Sequence, residues 1–183
     1  MTTTRKLELV AGTWKIDGRR SNVSFRLRHL TSKMGGTFGE LTGELVVGDD
    51  GVDITSAAEI AVESIDTGNT DRDKHLRAKR FLDADNFPTM RFTGSGIRWA
   101  DSGYVVDGTL ALKAVSRPVT LAVAFQGAGS EPSGTTYANF TASTAISRKV
   151  YGVGSRALLV EGIAIGDRVE IELEIRVVLQ PLA

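Results

Sequence analysis

The sequence predicts an all-β fold of about eight antiparallel strands, in a sandwich or a barrel, with one short helix inserted around residues 70–80. Three observations carry that reading. Apolar and polar residues alternate through most of the chain, glycine-rich turn signals recur at short intervals, and one charged segment abandons the alternation. Strict alternation marks a strand with one face on a core and the other in water.

The elements follow in order. A first strand over 13–17 could run on into the next, over 22–30. There Val23, Phe25, Leu27 and His29 share a face opposite Ser24, Arg26 and Arg28. Strands over 38–48 and 52–63 come next. In the second of these, Ile54, Ser56, Ala58, Ile60 and Val62 alternate with Thr55, Ala57, Glu59, Ala61 and Glu63. Further strands are expected over 89–99, 104–113, 118–127 and 137–146, with Val119, Leu121, Val123 and Phe125 on one face of the third. The last, over 169–179, sets Val169, Ile171, Leu173, Ile175 and Val177 against Glu170, Glu172, Glu174 and Arg176. Gly35-Gly36, Gly48 to Gly51, Gly94-Ser95-Gly96, Asp101 to Gly103 and Ser133-Gly134 read as turns between them.

Thr70 to Leu82 is rich in helix formers and has no period of two. Asn69 or Thr70 suits the N-cap, Asp71 and Asp73 suit the positive end of the helix dipole, and Arg77, Lys79 and Arg80 suit the other end. Leu76 and Phe81 are the expected buried anchors, with the helix capping one end of the fold.

Composition narrows the function. A chain of 183 residues suits one domain, here 1–183 with its core at about 13–180. Lys and Arg number 22, as do Asp and Glu, so the net charge is zero. That balance argues against a nucleic-acid binder and against a polybasic membrane-surface module. The absence of cysteine excludes disulfides, thiol nucleophiles and thiolate zinc sites. The opening apolar patch, Leu7 to Ala11, is interrupted by Glu8 and is too short for a signal peptide or a spanning helix. A cytoplasmic location is the resulting expectation.

No reaction class emerges from the residues. His29 and His75 form no close ligand pair. His75, in the charged helix, reads as solvated, and Asp83 and Asp85 read as solvated turn residues. His29 falls on the inward face, as a satisfied core histidine or as a polar contact to a ligand. A nucleophile elbow, a phosphate-binding loop and a dinucleotide fingerprint are all missing. The expectation is no enzyme, no metal and no cofactor.

A cavity is a better reading. An eight-stranded barrel encloses a space that side chains fill or that holds one small ligand. Ser56 and Ala58, Gly94, Gly108 and Ala142 are small inward positions on four strands. They either open a continuous apolar space or fit the taper of a filled barrel. Aliphatic and aromatic walls would suit a long hydrocarbon.

The same residues resemble the YceI-like family from about Trp14 to Val178. Trp14-Lys15-Ile16-Asp17, Ser21, Gly36, Phe38, Gly43 and Leu45 stand at the family's spacing. Ser64 to Phe92 is similar to its acidic–basic helix with a His-Leu pair, followed by an aromatic-Pro before the next strand. Gly108 to Leu112, Ser116 to Val119 and Ser147 to Gly152 continue the match. One position departs: where the family often has D-x-x-H-S, this chain reads Asp17-Gly18-Arg19-Arg20-Ser21.

The resemblance implies a lipocalin-like, extended barrel with a long apolar pocket for a polyprenyl or isoprenoid-quinone tail, or a comparable amphiphile. It also implies a homodimer and brings no catalytic residues. The expected pocket wall is Val23, Phe25, Leu27, Phe38, Ile60, Phe92, Leu110, Leu121 and Phe140, with His29 and Arg148 meeting the polar end of the ligand. The expected function is carriage or storage of that lipid. The rivals are an enzyme acting on a small isoprenoid or lipid, and a stress-response interaction protein with an incidental pocket.

Overall fold

The computed structural model describes residues 7–29, 32–154, 159–160 and 163–182. Its strands are β1 (Gly12–Ile16), β2 (Asn22–His29), β3 (Ser32–Phe38), β4 (Leu41–Val47), β5 (Ile54–Ala61) and β6 (Ile65–Asp66). After the helix α1 (Thr70–Arg77) come β7 (Thr89–Ala100), β8 (Gly103–Leu112), β9 (Val115–Ser130), β10 (Thr136–Ser147), β11 (Leu159–Val160) and β12 (Ile163–Leu179). Eight of these close into an antiparallel barrel in the order β1-β4-β5-β7-β8-β9-β10-β12, and β12 pairs back onto β1.

The barrel is extended because its first strands are broken rather than ended. β1 pairs with the end of β12 at Trp14↔Leu179, and β2 continues along the same edge from Asn22↔Glu174 to His29↔Ile165. Between them Asp17 caps a 3-10 turn over Gly18–Arg20, accepting from the Arg19 N–H at 3.1 Å. The Ser21 hydroxyl then accepts from the backbone N–H of Arg176 at 3.0 Å, so a side chain carries the ladder across the break. Two more strands are broken: β3 and β4 are one broken strand, as are β5 and β6, joined by the 3-10 turn Val62–Ser64, with the Gly39 N–H donating to the Ser64 carbonyl across the gap at 3.2 Å. One end of the barrel is therefore a closed ring, while the other is built from the β2–β3 hairpin, β6 and the tips of the long strands β9, β10 and β12.

Two glycine signals change meaning in three dimensions. Gly35 and Gly36 are not a turn: they lie inside β3, opposite Arg26 and Phe25. A Cβ on Gly36 would stand 2.6 Å from the Asp66 carbonyl oxygen and 3.0 Å from the Phe25 ring, so glycine is needed for close approach. Gly94 to Gly96 likewise sits within β7, at a bulge before Ile97 that bends the strand. Both partners are remote in sequence, which is why local turn chemistry misleads here.

The helix is shorter than the composition suggests. It ends at Arg77, and Phe81 and Leu82 follow in a turn. Asn69 caps it, accepting from the Arg72 N–H at 3.0 Å. Asp73 is buried and accepts from the Thr67 N–H at 2.9 Å and hydroxyl at 2.6 Å. Arg77 donates to the carbonyls of Glu63 and Ile65, both at 3.0 Å. These bonds pin α1 to β6, across the gap between the end of β6 and the start of β7. Asp83, expected in solvent, is buried with a left-handed φ of 53° and accepts from the Asn86 amide at 2.8 Å, whereas Asp85 is exposed. Among the described residues, no helix is long and apolar enough to cross a membrane.

Candidate functional site: an apolar tunnel inside the barrel

The two ends of the barrel interior differ. At the ring end the centre is solid. Trp14 is 1% exposed and donates from its indole N–H to the Val10 carbonyl at 3.2 Å. Around it pack Leu7, Leu9, Val47, Ile54, Tyr104, Ala138 and Val177, and Trp99 meets Tyr104 edge-on with ring centroids 4.9 Å apart. These side chains form a plug.

Above the plug the barrel is hollow. A cavity of about 280 Å³ begins at Leu7, Ile16 and Val177 and reaches Leu76, Phe81, Leu82 and Val153 under the helix end. Along β12 its wall runs through Val177, Ile175, Leu173, Ile171, Val169 and Ile165. At about 3.3 Å per residue on a strand tilted about 40°, that stretch measures roughly 30 Å along the axis. So small a volume over such a length makes a single-file tunnel.

The tunnel exists because small residues stand where large ones would fill it. Ser56, Ala58 and Ala142 line it. Gly94 and Gly108 face each other across β7 and β8 and lie against the Phe92 ring, which takes the space their side chains would occupy. Polar groups on the wall are few: Glu44, Ser56, Thr144 and Arg148.

Arg148 is the buried cation of the helix end, 4% exposed. Its Nε donates to the Gly166 carbonyl at 2.9 Å, Nη1 to Val153 at 3.1 Å and Nη2 to Ile165 at 3.1 Å. It thereby holds the bulge in β12 between Ile165 and Val169. Beside it Asp167 accepts from the Ser147 hydroxyl at 2.7 Å and the Lys149 N–H at 2.9 Å. Partial burial opposes ionisation of Asp167, but those two bonds and the charges of Lys149 and Arg148 hold its carboxyl below the usual carboxylate range. Tyr151 is buried in the same loop; burial pushes its phenol up, and the charge of Arg117 pulls the other way.

The structure places Val23, Phe25, Leu27, Phe38, Ile60, Phe92, Leu110, Leu121, Phe140 and Arg148 together on the tunnel wall. His29 ends β2, its backbone paired with Ser32 and Ile165, and its side chain lies outside the described residues. Leu76 and Phe81 sit at the helix end of the tunnel. Sequence reasoning missed Met34 and Ile97, and left Met90 and Val106 off the expected wall although it placed both on inward faces. Met34 was hidden by reading Gly35-Gly36 as a turn. The departure at Arg20 falls outside the tunnel, on the outer wall. There Arg20 and Arg176 share the Glu131 carboxylate, the latter at 2.6 Å, and Arg176 lies 3.6 Å over the Tyr137 ring. Arg20 above all, with the charge of Arg176, holds the Glu131 carboxyl low.

The comparisons agree with this architecture. A UPF0312 protein of Yersinia enterocolitica is 35% identical over 152 residues, 79% of this chain and 77% of its own length. The crystal structure of Burkholderia cenocepacia BcnA superposes with a TM-score of 0.77 at 23% identity, covering 88% of this chain and 98% of that one. A polyisoprenoid binding domain from Saccharophagus degradans superposes with a TM-score of 0.65 at 16% identity, covering 91% and 98%. The YceI-like domain model matches residues 14–177, from the tryptophan of the plug to the last tunnel residue of β12, and the chain belongs to that family.

Proposed function

We propose that the chain is a lipid-binding protein that takes one long isoprenoid chain, or a similar amphiphile, into the tunnel for carriage or storage. The observation that supports this most is the shape of the wall: an unbroken apolar lining from Val177 to Ile165, closed at one end by Trp14. A tail would lie along the axis with its end on the plug. Arg148, at the helix end, would meet the polar head, while Thr144 lies further along the wall, paired with Ile171.

The energetics are sufficient. Burying ten methylene equivalents is worth on the order of 8 kcal/mol, from which association subtracts several kcal/mol. A micromolar affinity needs about 8 kcal/mol net, so a somewhat longer chain reaches it without any catalytic group. The Saccharophagus structure, named for polyisoprenoid binding, supports the same ligand class.

Native mass spectrometry of gently purified protein, followed by extraction, tests the reading. A stoichiometric adduct that extracts as an isoprenoid lipid is expected. A bare chain that also takes up no added polyprenol would overturn it. The same spectrum reads oligomeric state, for which a homodimer is the expected form.

A further inference from the structure

The zero net charge conceals a separation of charge by end. The turns at the plugged end carry Asp49, Asp50, Asp53 and Asp101, beside the Trp14 cluster residues Val47, Ile54, Trp99 and Tyr104. Around the helix end stand Lys79, Arg80, Lys113, Arg117 and Lys149. Three segments bring them together: the Gly154 N–H donates to the Arg80 carbonyl at 3.1 Å, Lys113 Nζ donates to the Gly152 carbonyl at 2.9 Å, and Tyr151 feels the charge of Arg117. Among the described residues, none of the five forms an ion pair. Of the nearby carboxylates, Asp73 and Asp83 are buried and engaged by Thr67 and Asn86, Asp167 accepts from the Ser147 hydroxyl and the Lys149 N–H and feels the charge of Lys149, and Asp66, Asp71 and Asp85 are exposed.

Two further features mark this rim. Val150, between Lys149 and Tyr151, is 48% exposed. Lys113 holds a left-handed φ of 55° at the β8–β9 turn, where glycine or asparagine would fit with less strain. Cations around an exposed apolar tip are the chemistry of a protein that rests on an anionic bilayer.

We propose that this rim docks on the surface of an anionic lipid bilayer, with Val150 entering the interface and the acidic plugged end facing away. The tunnel reaches the same end, so a hydrocarbon chain would pass between bilayer and barrel with little exposure to water. That last point rests on the lipid-binding reading; the charges and Val150 do not.

Sedimentation of the purified 183-residue chain with phosphatidylcholine vesicles, with and without phosphatidylglycerol, tests it. Binding to the phosphatidylglycerol vesicles alone, weakening as salt rises, is expected. Each cation removed should lower partitioning about fivefold, so K79Q/R80Q/R117Q/K149Q should lose more than about a hundredfold. Val150→Asp should weaken binding, and the plugged-end control D49N/D53N should leave it intact, with circular dichroism confirming the fold of each. Equal binding to neutral vesicles, indifference to the rim substitutions, or no binding at all would overturn the proposal. Ala58→Trp, which blocks the tunnel, should still sediment with the anionic vesicles. For the unsubstituted chain, docking without any retained lipid would sink the tunnel reading alone, and lipid loading without vesicle binding would sink the docking alone.

Discussion

The Phe92 ring lies so close to Gly108 that a Cβ there would stand 2.6 Å from its Cζ, and 2.5 Å from the Thr93 carbonyl oxygen. Gly108→Ala therefore strains the backbone of β7 and pushes the ring into the tunnel. The expected cost is about 1–3 kcal/mol, read as a lower urea midpoint. Lipid retention should fall with it. Full retention in a folded variant would show that Phe92 does not set the bore.

Ala58 lines the same tunnel from β5, paired with Phe92 across the strands. An indole at residue 58 fills empty space rather than occupied core, so Ala58→Trp should cost less than about 2 kcal/mol and abolish retention of a long lipid. Unchanged lipid content, by extraction and mass spectrometry, would move the ligand elsewhere.

Arg148 donates to the carbonyls of Gly166, Val153 and Ile165. Arg148→Met keeps the length of the stem but removes the guanidinium donors from all three acceptors. A loss of about 2–4 kcal/mol is expected, with Arg148→Lys recovering part of it. Chemical denaturation measures both; a loss below about half a kcal/mol would mean that water replaces the guanidinium.

Asp167 couples stability to pH. Its carboxyl titrates lower in the folded protein than in the unfolded chain. Its contribution is therefore complete above the usual carboxylate range and disappears as pH falls through the lowered folded value. Asp167→Asn should be less stable than the parent at neutral pH, and the gap should narrow on acidification below about pH 5. A gap that is constant with pH would show that the charge is immaterial.

Much of the wall was legible in the chain itself. The period of two is local, so Val23, Phe25 and Leu27, or Phe92 and Leu110, declare their shared face without knowledge of any partner. The cap of α1 was legible to within Asn69 or Thr70 for the same reason, because a cap acts three residues away, and the structure uses Asn69. Arg148 was visible as a residue near the site, but not its acceptors, two of which, Ile165 and Gly166, lie 17 and 18 residues further on in β12.

What the sequence by itself determined is which residues face inward and where the alternation gives way to a helix. Only the tertiary structure decided that the interior is hollow above Trp14, that Gly35 and Gly36 belong to a strand, and that Lys79, Arg80, Lys113, Arg117 and Lys149 come together at one end. The reason is physical. Facing is a property of successive residues, whereas a void is a difference between the space a closed barrel encloses and the volume its side chains fill. That difference, like a charge separated across a molecule of zero net charge, depends on residues that meet only when the barrel closes.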